Sequence, residues 1–282
     1  MKKSIFTVAA LVFCTIAASA QSGSALLVPS DSRSIAMGVS ALQPTAPKMD
    51  AKALFGLWAP NAANNTIVGA DVFFRIGDKI AVSAEGREFI DKPYDIVNDK
   101  GVTEGTFAPS DLIVGLGGSF AATEQISVGA KLRILSSKLA SDIKGSAFCA
   151  DLSARYSGGI FDAGLSLRNL GSKIDYGAGG YALPAFLAAD GTFSPLNGLT
   201  VAAEVDYLFA GALMAGLGAE YTLMDIVSVR GGFHYGDASK ALPTYVSLGL
   251  GVKFAGVHLD AAFLTASEAL GNTLLVGLGY SF

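Results

Sequence analysis

The sequence predicts an all-β protein, a transmembrane antiparallel β-barrel of about 14 strands with an N-terminal segment plugging its lumen. Three observations carry this prediction. Apolar residues recur at every second position in stretch after stretch, with Gly, Ser and charged residues between them. The connections alternate between very short turns and longer loops. The 282-residue chain has a mean hydropathy of +0.47 and only 16% charged residues. Yet beyond the N-terminus no apolar run reaches the ~20 residues that a spanning helix requires. High hydropathy without such a run fits apolar residues placed singly along lipid-facing strands.

At the N-terminus, Lys2-Lys3 precedes an apolar stretch from Ile5 to Ile16 and then Ala18-Ser19-Ala20. This reads as a signal peptide over residues 1–20, with Gln21 as the first mature residue and the bacterial outer membrane as the destination. Cys14 lies inside it, so the mature chain keeps Cys149 alone and forms no internal disulfide. Residues 21–50 are rich in Ser, Ala, Pro and Gly and do not alternate; they are the plug candidate. Residues 51–282 form the barrel.

Strands are expected near 51–60, 66–76, 79–89, 111–122, 126–139, 146–157, 160–171 and 185–196. Six more follow near 199–209, 212–223, 226–236, 244–255, 257–266 and 272–282. In the last, Leu274, Val276, Leu278, Tyr280 and Phe282 share one face. That face meets outer-membrane lipid, and Tyr280 with Phe282 forms an aromatic girdle and the insertion signal presented to the barrel-assembly machinery. Val246, Leu248, Leu250, Val252 and Phe254 oppose Ser247, Gly249, Gly251 and Lys253 in the same way. Trp58, the single tryptophan, is expected to anchor the first strand at a membrane interface. Counting back from Phe282, short turns fall at Gly256, Met224-Asp225, Asn197-Gly198, Gly158-Gly159, 123–125 and Gly77-Asp78, while the intervening connections are mostly longer. Short turns belong on the periplasmic rim, and an even strand number puts both termini in the periplasm.

With apolar faces outward, the lumen receives Arg75, Glu85, Arg133, Asp151, Arg155, Arg168, Glu204, Glu220, Arg230, His234 and Asp260, among other ionisable residues. Their signs nearly cancel and alternate within strands, as in Asp151/Arg155 and Asp162/Arg168. A selective ion pore would concentrate one sign. Balanced charges form paired networks that brace the wall or hold a plug. Fourteen strands enclose a lumen wider than those filled by side chains alone and narrower than open porin channels.

Enzymatic chemistry finds little footing. No Gly-x-Ser-x-Gly elbow is present, and His258 and Asp260, two apart on one strand, read equally well as pairing partners. Two isolated histidines and one mature cysteine give no metal-ligand spacing, no cofactor motif is visible, and no basic patch points to nucleic acid. The acidic stretch from Asp91 to Glu104 reads as a solvated loop.

The stretch Asp31-Ser32-Arg33-Ser34-Ile35-Ala36-Met37-Gly38-Val39-Ser40-Ala41 resembles the Ala-Arg-x-x-x-Met-Gly-Gly-Ala opening of PorV/PorQ-type outer-membrane proteins, relatives of the FadL fatty-acid transporter barrel. Asn169-Leu170-Gly171 and Arg230-Gly231-Gly232-Phe233-His234-Tyr235 are similar to further motifs of that group, of which this chain would be a short, divergent member. The resemblance implies a fourteen-stranded barrel with an N-terminal plug containing Arg33, Met37 and Gly38. It also implies one of two roles. One is passage of a hydrophobic small molecule; the other is service to the type IX secretion machinery of Bacteroidetes, with secretion-system proteins as partners. A structural barrel without transport is the third reading.

Overall fold

The computed structural model describes residues 23–40, 42, 48–59, 65–177 and 179–282. The expected signal peptide at 1–20 lies outside the described residues. Fourteen strands close into one antiparallel barrel. In chain order they are β1 (Met49–Trp58), β2 (Asn65–Ile76), β3 (Ile80–Ile90), β4 (Ser110–Ala121), β5 (Ile126–Lys138), β6 (Lys144–Gly158) and β7 (Phe161–Gly171). The second half comprises β8 (Phe186–Leu196), β9 (Leu199–Leu208), β10 (Ala212–Leu223), β11 (Val227–Gly236), β12 (Tyr245–Phe254), β13 (Val257–Thr265) and β14 (Thr273–Ser281). Each pairs with its sequence neighbours, and β14 closes on β1 in a register running from Asp50↔Ser281 to Gly56↔Leu275. Closure satisfies every strand and leaves no edge, the condition for a sheet immersed in lipid.

The observed ends fall within two residues of the expected ones. The largest difference is at the seam, where β1 begins at Met49. The Met49 N–H donates to the Phe282 carbonyl at 3.0 Å, and the Phe282 N–H donates to the Met49 carbonyl at 3.1 Å. The last residue thereby extends the first strand backwards.

Strand pleat sends side chains alternately outward and inward. The outward set is apolar and exposed: Leu274, Val276, Leu278 and Tyr280 on β14; Leu248 and Leu250 on β12; Leu132 and Ile134 on β5. Near one rim it ends in Phe120, Tyr156, Phe193, Tyr221, Phe254 and Phe282, and toward the other in Phe148, Tyr207 and Tyr235. These are the two aromatic girdles of a membrane barrel.

The two rims differ. One, the turn rim, carries the short connections. Met224 and Asp225, in a three-residue connection, both have positive φ (53° and 57°), and Ala255 (50°) with Gly256 (84°) forms a two-residue hairpin turn whose twist matches the strands. The other, the loop rim, carries the long connections, except for the tight join at Phe209–Gly211. The longest loop folds into a small hairpin, Tyr94–Val97 with Thr103–Phe107, whose turn is held by the Asn98 side chain accepting from the Lys100 and Val102 N–H groups.

Candidate functional site

The inward side chains divide the barrel along its axis. Toward the loop rim they are apolar and buried: Trp58, Ile67, Phe89, Ile113, Leu135, Phe186, Leu208, Met214, Tyr245, Leu264 and Leu275 belong to one hydrophobic cluster, joined by Ile174, Leu183, Leu242 and Leu270 from the loops. Toward the turn rim the inward positions carry the ionisable residues, around a cavity of about 600 Å³. Between the halves lies the chain from Gly23 to Ser40, comprising a 3₁₀ turn (Ser24–Leu27) and a short helix α1 (Ser32–Ala36). Its Ala25, Leu26, Leu27, Val28, Ile35 and Ala36 join the apolar cluster, while Asp31 and Arg33 line the polar cavity.

Helix α1 starts where the Asp31 carboxylate accepts from the Ser34 N–H at 2.9 Å, an N-cap. It ends at Met37 and Gly38, the latter at φ +68°. What seats this end is glycine on the facing wall. A Cβ at Gly216 would strike the Gly38 carbonyl, and one at Gly218 would strike the Met37 carbonyl. One at Gly232 would come within 2.5 Å of the Met37 carbonyl carbon, and one at Gly38 itself within 2.7 Å of the Phe233 oxygen. Strands β10 and β11 thus present bare backbone, and the segment lies against it.

Charge completes the seat. Arg33 donates from Nε and Nη2 to both Glu220 oxygens, at 2.9 and 2.6 Å. Burial disfavours its charge, yet the hydrogen bonds and negative charge of Glu220 outweigh that and hold the guanidinium above its ordinary pKa. Arg230 also donates to Glu220 and reaches Asp260 at 2.6 Å. Asp260 accepts from His258 (3.1 Å), whose other ring nitrogen lies 3.2 Å from Asp50. The Ser40 N–H and hydroxyl bond Glu204, and Arg168 donates to the same hydroxyl. His234 Nδ1 lies 3.3 Å from the Gly38 carbonyl, and the ring stacks on Tyr245 at 5.0 Å.

The remaining residues singled out from the sequence occupy the opposite wall. Glu85 binds Lys131 (3.1 Å) and lies 3.7 Å from Arg133, which also binds Asp151. Arg155 pairs with Asp190 at 2.8 Å. Arg75 stands apart near the turn rim, its guanidinium 6.0 Å from the Phe73 ring. Tyr280 and Phe282 face outward, 46% and 51% exposed. Apart from the contacts two residues apart, Asp50–Lys52 and His258–Asp260, the ion pairs among the described strand residues run between strands: Arg155 meets Asp190 on β8, not Asp151 on its own strand. Within a strand, residues four apart stand roughly 13 Å apart, whereas Arg155 and Asp190 meet over Gly164 of β7, which pairs with both and puts no side chain between them.

Trp58 corrects an expectation. It faces inward, 6% exposed, because the parity that points Phe55 and Leu57 outward turns Leu54 and Trp58 into the apolar cluster. The apolar half lies beneath the loop rim beside Ala36, where passage of a hydrophobic small molecule calls for an apolar environment. Its signal was present where alternation gives way to continuous apolar runs at the loop-rim ends of strands, as in Leu112-Ile113-Val114, Ile134-Leu135 and Leu274-Leu275-Val276. Asp50 and Lys52, paired at 3.0 Å, were missed because they precede or begin the expected first strand.

No protein-family model matches the sequence, and no curated protein matches it. Solved structures share the fold. The chain superposes on the Ralstonia pickettii toluene transporter TbuX with a TM-score of 0.64 at 13% identity, over 91% of this chain and 99% of that one. The CymD monoaromatic hydrocarbon channel gives 0.65 at 13%, over 91% and 98%. A Pseudomonas aeruginosa FadL homologue gives 0.56 at 11%, over 91% and 95%. The architecture is that of FadL-like barrels.

Proposed function

We propose that this chain is an outer-membrane barrel, with both termini in the periplasm, that admits a hydrophobic small molecule from the loop rim into the apolar half of its lumen. Residues 23–40 act as the plug between that half and the polar cavity. The observation that carries the reading is the axial division of the lumen: an apolar compartment under the long loops is the environment a hydrocarbon partitions into, and a charged compartment is one it avoids. The likeness to a toluene transporter and a monoaromatic hydrocarbon channel supports it.

Trp58, the single tryptophan, lies in the apolar compartment and reports on it. Titrating the barrel in lipid nanodiscs with bromobenzene, a heavy-atom quencher, should quench Trp58 saturably, and toluene should compete. Quenching that rises linearly and ignores toluene is lipid partitioning alone, and would refute the reading.

A second reading, service to protein secretion, is supported by the PorV/PorQ-like stretch, whose Arg33, Met37 and Gly38 are the residues that seat the segment. It requires co-purification with secretion components or cargo under gentle solubilisation; a barrel that always purifies alone counts against it.

A further inference from the structure

Beside residues 26–30 lies a second cavity, about 280 Å³, walled by strands β3 to β7. Its wall carries Arg87, Lys131, Arg133, Arg155 and Arg168 against only Glu85 and Asp151. Four of these cations are matched, two by the lining acids and two by Asp190 and Glu204 just beyond them. Arg87 is not. It is 4% exposed, and among the described residues it forms no ion pair. Its Nη1 donates to the Val28 carbonyl at 2.5 Å, and its Nε has no acceptor. The Nε of Arg133 also lacks a hydrogen-bond acceptor and lies 3.7 Å from Glu85 Oε1, itself without a hydrogen-bond partner.

A buried guanidinium without an ion-pair partner in contact is unfavourable, the longer-range charge of Glu85 and Asp71 notwithstanding. An anion in the cavity supplies that partner. The volume accommodates a small ion with part of its hydration, given roughly 30 Å³ per water. Hydroxyls of Ser83, Ser119 and Ser153 on the same wall offer neutral donors, and Gly117 and Gly129 leave room beside them: a Cβ at Gly117 would come within 2.6 Å of the Ser83 hydroxyl and one at Gly129 within 2.8 Å of the Ser153 hydroxyl. Several donors converging from a guanidinium, an ammonium and hydroxyls suit an acceptor with several oxygens.

We propose that this cavity is a binding site for a small oxyanion of the phosphate type, with Arg87 as its principal charge partner. The cavity borders the apolar cluster through Leu26, Leu27, Val28 and Phe186, but its charged wall is distinct from it, and the proposal stands whether or not a hydrocarbon enters the apolar half.

The test uses the full-length barrel in detergent, titrated calorimetrically with inorganic phosphate at ionic strength fixed with sodium chloride. Wild type should bind phosphate saturably. Arg87→Gln should weaken binding about tenfold or more, the scale of a lost charge-assisted hydrogen bond. Lys131→Gln should weaken it by a smaller factor, and Lys100→Gln, in the distant hairpin, should leave it unchanged. Folding of each variant is checked by heat-modifiable gel migration; if Arg87→Gln fails that check, Lys131→Gln decides. The proposal is overturned by absence of saturable binding in wild type, by wild-type affinity in the folded variants, or by chloride competing as strongly as phosphate.

Discussion

Glu220 holds two guanidiniums, one from the N-terminal segment and one from the wall, and it is only 6% exposed. Arg230 keeps Asp260 if Glu220 is neutralised, but Arg33 loses its partner. Stranding one member of a buried pair costs on the order of 3–5 kcal/mol, and the segment can avoid that only by leaving its seat. Glu220→Gln should therefore expose residues 23–40 to protease while the barrel stays folded; cleavage sites mapped by mass spectrometry at wild-type rates would contradict this. Gly218 tests the same seat sterically. Gly218→Leu directs its side chain into the Met37 backbone, a contact no rotamer relieves, because the clash is at Cβ itself. The variant should assemble normally and show higher single-channel conductance in planar bilayers. An unchanged trace would mean that the segment does not control passage. The sequence displays the glycines of β10 and β11 plainly, but a glycine in a strand says nothing of what approaches it. That required the position of Met37.

Among the elements, β1 carries the most consequence because it must find β14 across the whole length of the chain. The seam holds seven residue pairs, and beyond them Phe282 adds backbone bonds to Lys48 and Met49. Removing Phe282 takes away those bonds and the last member of the outward aromatic face. Deletion of Phe282 should lower the fraction of assembled barrel in cells, read as loss of the heat-modifiable band; full assembly would deny the residue its role as insertion signal. The strands were legible because a lipid-facing sheet writes its period into the sequence, and the short turns because positive φ selects Gly, Asn and Asp. The pairing of charges was less so. Which of several inward carboxylates an arginine meets depends on interstrand register, and register between β7 and β8 spans a connection whose length fixes nothing.

At the scale of the molecule, the barrel is polar at one end of its lumen and apolar at the other, and each hypothesis about transport depends on which end faces outside. Turn lengths argue that the loop rim is extracellular. Labelling decides it. Met224 projects from the turn rim, 90% exposed, and Lys100 sits at the tip of the Tyr94–Phe107 hairpin on the loop rim. Cys149 is buried, 1% exposed, and leaves a clean background. With a membrane-impermeant maleimide, Lys100→Cys should label on intact cells, and Met224→Cys only after the outer membrane is permeabilised. The reverse pattern would put the charged cavity outside and the apolar compartment toward the periplasm. A hydrocarbon arriving from the medium would then meet the charged half first, and the proposed route of entry through the loop rim would fail.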